Sequence, residues 1–225
     1  MMKRIGIIAA LDEELSELVR VLKPQRTIED SGFTIRILSY KDKEVYVSRS
    51  GAGEIKATIL ATLLVSKYGC ECLINIGVAG KLSEDLKILD CVIADRVVHY
   101  QYDISEIDPV GPGTYTSIGQ PEIMMDEDLR AKIAERYPDT RFVISASGDK
   151  FIGKEEDKQY LKDTFKADIC EMEGAGVILT SKAFDIPCVL IRAISDDADA
   201  AVYENYLQKA ADVNVVTLIR ILGIL

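Results

Sequence analysis

Pro187-Cys188-Val189-Leu190-Ile191-Arg192-Ala193-Ile194-Ser195-Asp196 opens as an unbroken apolar run and closes on a carboxylate. Ala167-Asp168-Ile169-Cys170-Glu171-Met172-Glu173-Gly174, a little earlier in the chain, repeats the pattern in shorter form. A continuous hydrophobic run, as opposed to an alternating one, marks a strand buried on both faces, and such strands belong to parallel sheets covered by helices. In these sheets ligand sites lie beyond the carboxyl ends of the strands. A carboxylate there gives up hydration and is tolerated when something pairs with it or uses it.

Outward from these two runs, strand and helix signals alternate. Residues 3–10 read as a largely apolar strand, followed by a helix from Asp12 with Leu15, Leu18, Val19 and Leu22 on one face and Pro24 ending it. Residues 33–39 and 44–50 read as strands around a Lys41-Asp42-Lys43 turn. Gly51-Ala52-Gly53 opens a helix reaching Tyr68, with Ile55, Ile59, Leu63, Ala57 and Ala61 inward. Further strands are expected at 72–76, ending in Gly77-Val78-Ala79-Gly80, at 90–97 and at 141–146. Helices are expected at 126–136, 155–165, 174–184 and from Ala200 onward, the last with Tyr203, Leu207, Ala210, Ala211 and Leu218 inward. Residues 99–122 form a long irregular segment rich in Tyr, Pro and Gly, and a loop of that length is usually functional or interfacial. The expected architecture is α/β: one domain over residues 1–225, in three layers, α/β/α, around a central mixed, largely parallel sheet.

The totals agree with a cored enzyme-sized domain. The chain has 225 residues, 48% hydrophobic and 28% charged, which permits a substantial core. Its net charge of -10 argues against nucleic acid and against an anionic membrane surface as partners. The five cysteines lie mostly in apolar strands and read as reduced core thiols of a cytoplasmic protein. Cys70-Glu71-Cys72 lacks the spacing of a zinc or redox pair, and no metal or cofactor is expected. His99, the single histidine, leaves little room for Ser-His-Asp catalysis.

Three carboxylates follow apolar strands: Glu14, Glu173 and Asp196. Each has a plainer alternative. Glu14 sits in Asp12-Glu13-Glu14, where acids suit a helix N-terminus. Glu173, two residues from Glu171, would share its face and could form a structural ion pair with Arg192. Asp196 could cap a helix; otherwise Ser195 orients it and Asp197 raises its pKa. Neither Gly51-Ala52-Gly53 nor Gly77-Val78-Ala79-Gly80 is a dinucleotide fingerprint, and no P-loop is present. Both read as turns that let backbone amides approach a small ligand.

In sequence order, 5–14, Ser50-Gly51-Ala52-Gly53, Asn75-Ile76-Gly77-Val78-Ala79-Gly80, Ser147-Gly148-Asp149-Lys150-Phe151-Ile152, Glu171-Met172-Glu173 and 192–196 resemble the 5'-methylthioadenosine/S-adenosylhomocysteine nucleosidases of the nucleoside phosphorylase superfamily. The resemblance runs nearly the whole length. It implies a nucleoside phosphorylase-like fold and hydrolysis of an N-glycosidic bond that releases adenine. It implies that Asp196 protonates adenine N7 with Ser195 orienting it, and that Glu14 activates water. It gives Glu173 the ribose hydroxyls, with Met172 packing on the sugar and Arg192 supporting the carboxylate. Phe151 would stack on adenine and the Ile152 backbone would read its edge. Leu11, Ala52, Val78, Gly80, Ala198 and Tyr203 complete the implied substrate surface. A homodimer is implied, with the 99–122 segment near the partner's site. The chemistry is that of an inverting glycosidase, one acid serving the leaving group and a second group activating water.

Departures from the family pattern fall around the 5' group. Val78 replaces a common Ser or Thr, Ala52 a common Ile, and 197–207 is shorter than usual, with Tyr203 and Tyr206 where phenylalanines are common. Three rivals remain: a phosphorylase on the same fold, a nucleosidase for a futalosine-type or simple nucleoside, and a non-catalytic binding protein. The acidic first turn disfavours phosphate, and the intact carboxylates disfavour the last.

Overall fold

The computed structural model describes residues 2–197 and 200–225. Its elements, in chain order, are β1 (Arg4–Ala9), α1 (Asp12–Val21), β2 (Arg26–Asp30), β3 (Phe33–Tyr40), β4 (Lys43–Arg49), α2 (Glu54–Ser66), β5 (Cys72–Lys81) and β6 (Cys91–His99). They continue with β7 (Glu122–Met124), α3 (Glu127–Arg136), β8 (Phe142–Ser147), α4 (Glu155–Phe165), β9 (Ile169–Glu171), α5 (Gly174–Ala183), β10 (Cys188–Asp196) and α6 (Ala200–Leu222).

The apolar runs that read as buried strands are buried. Every residue of β10 is buried, as are all but the first of β1. Helices cover both faces, each on its own apolar cluster. On one face α2 and α5 bring Ala57, Leu60, Leu64, Val177 and Ile178 against Ile8, Leu73 and Leu190. On the other, α1, α3 and α6 bring Leu15, Leu18, Ile133, Val215 and Leu218 against Ile7, Ile74 and Ile191. A third cluster gathers Leu161 and Phe165 of α4 with Val98, Ile144 and Ile152.

The sheet is mixed and covered by helices, as expected for this α/β class, but it is closed, a feature the sequence reading did not include. β10 pairs with β5 and with β6, while β8 and β9 bridge β6 back to β5. Five strands therefore close into a ring, and β1, β4, β3 and β2 extend from it in that order. Two register shifts, in β6 at Ala94/Arg96 and in β10 at Ile194/Asp196, supply the bend that closure needs. Nor is the sheet largely parallel. Among the described residues five of the ten strand pairings are antiparallel: two close the ring, β10–β6 and β5–β9, and three are the neighbouring pairs β2–β3, β3–β4 and β6–β7.

Two further expectations fail for identifiable reasons. β5 does not end at Ile76; it runs through Gly77-Val78-Ala79-Gly80, since β10 pairs with it as far as Gly80. In α2 the buried stripe is Ala57, Leu60, Ala61 and Leu64, while Ile55 and Ile59 are 70% and 51% exposed. The helix is apolar all round, so periodicity did not choose its inward face. The 100–121 segment carries no regular helix or strand, as expected. His99 lies at its start, its Nδ1 2.7 Å from the Tyr115 hydroxyl, and Tyr115 stacks on Tyr102.

Candidate active site

The carboxyl ends of β1, β5, β9 and β10 converge on one cavity of about 120 Å³. It is lined by Glu14, Glu173 and Asp196, which the sequence places far apart. Leu11, Ala52, Val78, Gly80, Phe151, Ile152, Met172, Ser195 and Tyr203 line it as well. Ala198 lies outside the described residues. Tyr206 does not line the cavity; Lys209 lies over its ring.

Glu14 occupies the first turn of α1 and reaches back over the end of β1. Its Oε2 accepts hydrogen bonds from the Ala10 and Leu11 amides, both at 2.9 Å, and its Oε1 accepts one of 3.0 Å from Val78. It thus serves the helix N-terminus and the cavity together, so its two sequence readings are not exclusive. Burial pushes its pKa up, against the three amides and the Arg192 charge, which pull it down. Gly77 leaves room beneath it: a Cβ there would sit 3.1 Å from Glu14 Oε1, close enough to push the carboxylate by a few tenths of an ångström.

Asp196 is buried at the end of β10, and the Ser195 hydroxyl donates to its Oδ2 at 2.6 Å. Phe151 and Tyr203 meet edge to face across 5.9 Å at the cavity mouth, and Phe151 is 44% exposed.

Glu173 and Glu171 do different work. Glu173 precedes α5, and its Oε1 accepts from the Gly53 amide at 2.9 Å. Gly53 adopts φ 103°, so glycine is required in that turn. Burial, with the neighbouring Glu171 charge, lifts the Glu173 pKa to about 8. Glu171 takes the buried ion pair: Arg192 Nη2 donates to its Oε2 at 2.6 Å. Arg192 therefore pairs with Glu171, and the structural ion pair that stood as the plainer alternative for Glu173 is not formed. Burial alone would raise the Glu171 carboxyl, but the Arg192 charge and hydrogen bond hold it below its usual range. Arg192 is held in turn by the Asn75 carbonyl and side-chain oxygens.

Below this pair lies a carboxylate that sequence reasoning missed. Glu54, at the start of α2, accepts from the Gly176 amide at 2.5 Å and from the Ser147 hydroxyl. Ser147 Oγ itself accepts from the Ala175 amide at 3.0 Å. Burial, then the Glu171 charge, lift the Glu54 pKa to about 7. An acid in a helix's first turn is too common to stand out, and only the packing of α2 on α5 reveals it. Among the described residues no group of His, Cys, Asp or Glu is arranged to hold a metal ion, and no helix is long and apolar enough to cross a membrane. All five cysteines are free.

A buried acid oriented by a hydroxyl, a second carboxylate held open by amides and a third beside a glycine turn form a set suited to splitting a glycosidic bond. Comparison with known proteins agrees. The family model described as the phosphorylase superfamily matches residues 4–222. This chain belongs to the phosphorylase superfamily. It is 34% identical to an aminodeoxyfutalosine nucleosidase of Campylobacter jejuni over 88% of this chain and 87% of that one. It is 32% identical to a 5'-methylthioadenosine/S-adenosylhomocysteine nucleosidase of Staphylococcus epidermidis over 92% and 93%. Its fold matches a mutant nucleosidase of Helicobacter pylori holding 5'-methylthioadenosine in its active site, with TM-score 0.92, 30% identity and 100% of both chains covered. Within the superfamily the chain is a nucleosidase, an enzyme that hydrolyses N-glycosyl bonds.

Proposed function

We propose that the protein hydrolyses the N-glycosidic bond of adenine nucleosides carrying a 5'-thio substituent, 5'-methylthioadenosine and S-adenosylhomocysteine, releasing adenine and the thioribose. The observation that carries water as the nucleophile is the placement of Glu14. The Ala10, Leu11 and Val78 amides, which would otherwise be free to bind a phosphate, are taken up by its carboxylate. A carboxylate there repels phosphate and accepts a proton from water.

Asp196 protonates the adenine N7 as the bond breaks, with Ser195 fixing the carboxyl. Glu14 takes the proton from the attacking water on the opposite face of the sugar. Glu173 accepts from the ribose hydroxyls; binding requires its ionised form, and the hydroxyl donors favour that form once the sugar is in place. Phe151 stacks on the base, Ile152 reads its edge and Met172 packs on the sugar. Leu11, Ala52, Val78 and Tyr203 surround the 5' group. All of this fits within one domain, residues 1–225, acting in the cytoplasm.

A second reading, aminodeoxyfutalosine as substrate, is favoured by the Campylobacter jejuni relative and by the small Ala52 side chain at the cavity wall. The test is a comparison of kcat/KM for adenine release from 5'-methylthioadenosine, S-adenosylhomocysteine and aminodeoxyfutalosine. The first reading requires the thionucleosides to be preferred at least tenfold, about 1.4 kcal/mol of discrimination; preference for aminodeoxyfutalosine by that margin selects the second.

We further propose that the enzyme is a homodimer. The exposed Ile55 and Ile59 on α2, together with the Tyr-rich 99–122 segment, are the surface that a second copy would cover.

A further inference from the structure

α6 lays a buried stripe against β5 and β10: Ala210, Ala211, Val215, Leu218 and Leu222. Asn214 interrupts that apolar stripe and is 1% exposed. An amide in such a place costs free energy unless its polar atoms are satisfied. Its Nδ2 donates to the Gly77 carbonyl at 2.7 Å, and Cys91 Sγ lies 3.6 Å from its Oδ1.

The Gly77 carbonyl and the Val78 amide are two ends of one trans peptide group, so they point in opposite directions. The Val78 amide is the donor to Glu14 Oε1. One peptide plane is therefore gripped by Asn214 at its oxygen and by Glu14 at its nitrogen. The register of β1 on β5 ends at Ile8↔Asn75, so on the β1 side Glu14 takes the place of a strand partner, while β10 runs alongside at Arg192↔Gly77 and Ala193↔Val78. Gly77 also has a freer backbone than any other residue. A hydrogen bond at the oxygen both fixes the plane and polarises the N–H that holds the carboxylate.

We propose that Asn214 is a positioning residue for Glu14, acting through the Gly77–Val78 peptide. The inference rests on the reading of Glu14 as the base. Asn214→Leu keeps the volume and removes the donor. It should lower kcat for adenine release about tenfold and change KM less than about threefold, as loss of alignment without loss of binding does. The acidic limb of the kcat/KM profile should move to higher pH, because a weakened Val78 bond favours the protonated carboxyl. In a Glu14→Gln background, where no base remains to be aligned, Asn214→Leu should cost no further rate. Cys91→Ala, which alters the other side of the Asn214 amide, should leave rate and limb unchanged.

Circular dichroism and urea unfolding check the fold of each variant. Asn214→Ala, read by the same criteria, replaces the leucine variant if that one does not fold. An unmoved acidic limb, or an equal loss of rate in the Glu14→Gln background, overturns the proposal and leaves Asn214 a structural residue. Full activity in Glu14→Gln alone overturns the base assignment itself, and is distinguishable because it appears before Asn214 is touched.

Discussion

Asp196 and Glu173 are both buried carboxyls facing one cavity, yet their surroundings set them apart. Asp196 has a hydroxyl donor from Ser195 at 2.6 Å, while Glu173 has one backbone donor and a like charge beside it. Asp196→Asn should lower kcat by about 10²–10⁴-fold with an unchanged circular dichroism spectrum; near-normal turnover would remove Asp196 from the role of acid. Glu173 makes a prediction about stability. Its pKa rises from 4.5 unfolded to about 8 folded, so the folded state binds more protons between those values. The stability it contributes is full below 4.5 and is lost as pH rises through 8. Glu173→Gln abolishes that dependence, so its melting midpoint relative to the parent should climb from pH 5 to about pH 8 and then level off in the absence of substrate. A constant difference would contradict the assignment. These residues were legible because each closes an apolar run. Glu54 and Asn214 were not, since each acts across the fold on a partner about 100 or more residues away, and nothing local marks them.

Among the elements, α2 and α5 show where pattern reading stops. The apolar runs of β1, β5 and β10 located the strands because continuous hydrophobicity has one meaning in a covered sheet. In α2 the same all-round hydrophobicity hid the inward face, and the small Ala57 and Ala61 proved the better guide than Ile55 and Ile59. β2 was missed because an exposed edge strand carries no apolar stripe. The close approach of α2 to α5 depends on Gly176, where a Cβ would come within 2.7 Å of the Glu54 carbonyl oxygen. Gly176→Ala should therefore destabilise the protein by about 1–3 kcal/mol, through overpacking. Urea unfolding measures it, and a neutral result would show that α5 is free to move away.

For the whole molecule, the closed five-strand ring could not be read from the sequence, because closure rests on short pairings at β5–β9 and on two bulges. The carboxylates meet all the same, since ring or open sheet brings the same strand ends together. The dimer proposal is tested by sedimentation: Ile55→Asp with Ile59→Asp should yield monomers that keep the fold, whereas an unchanged dimer would place the interface elsewhere. In the proposed reaction Glu14 activates water at the place where a phosphorylase would hold phosphate. Its most direct test is the product of 5'-methylthioadenosine turnover with and without inorganic phosphate. Adenine should be released at equal rates, with free thioribose, in both buffers. Release that requires phosphate and yields a sugar 1-phosphate would contradict it.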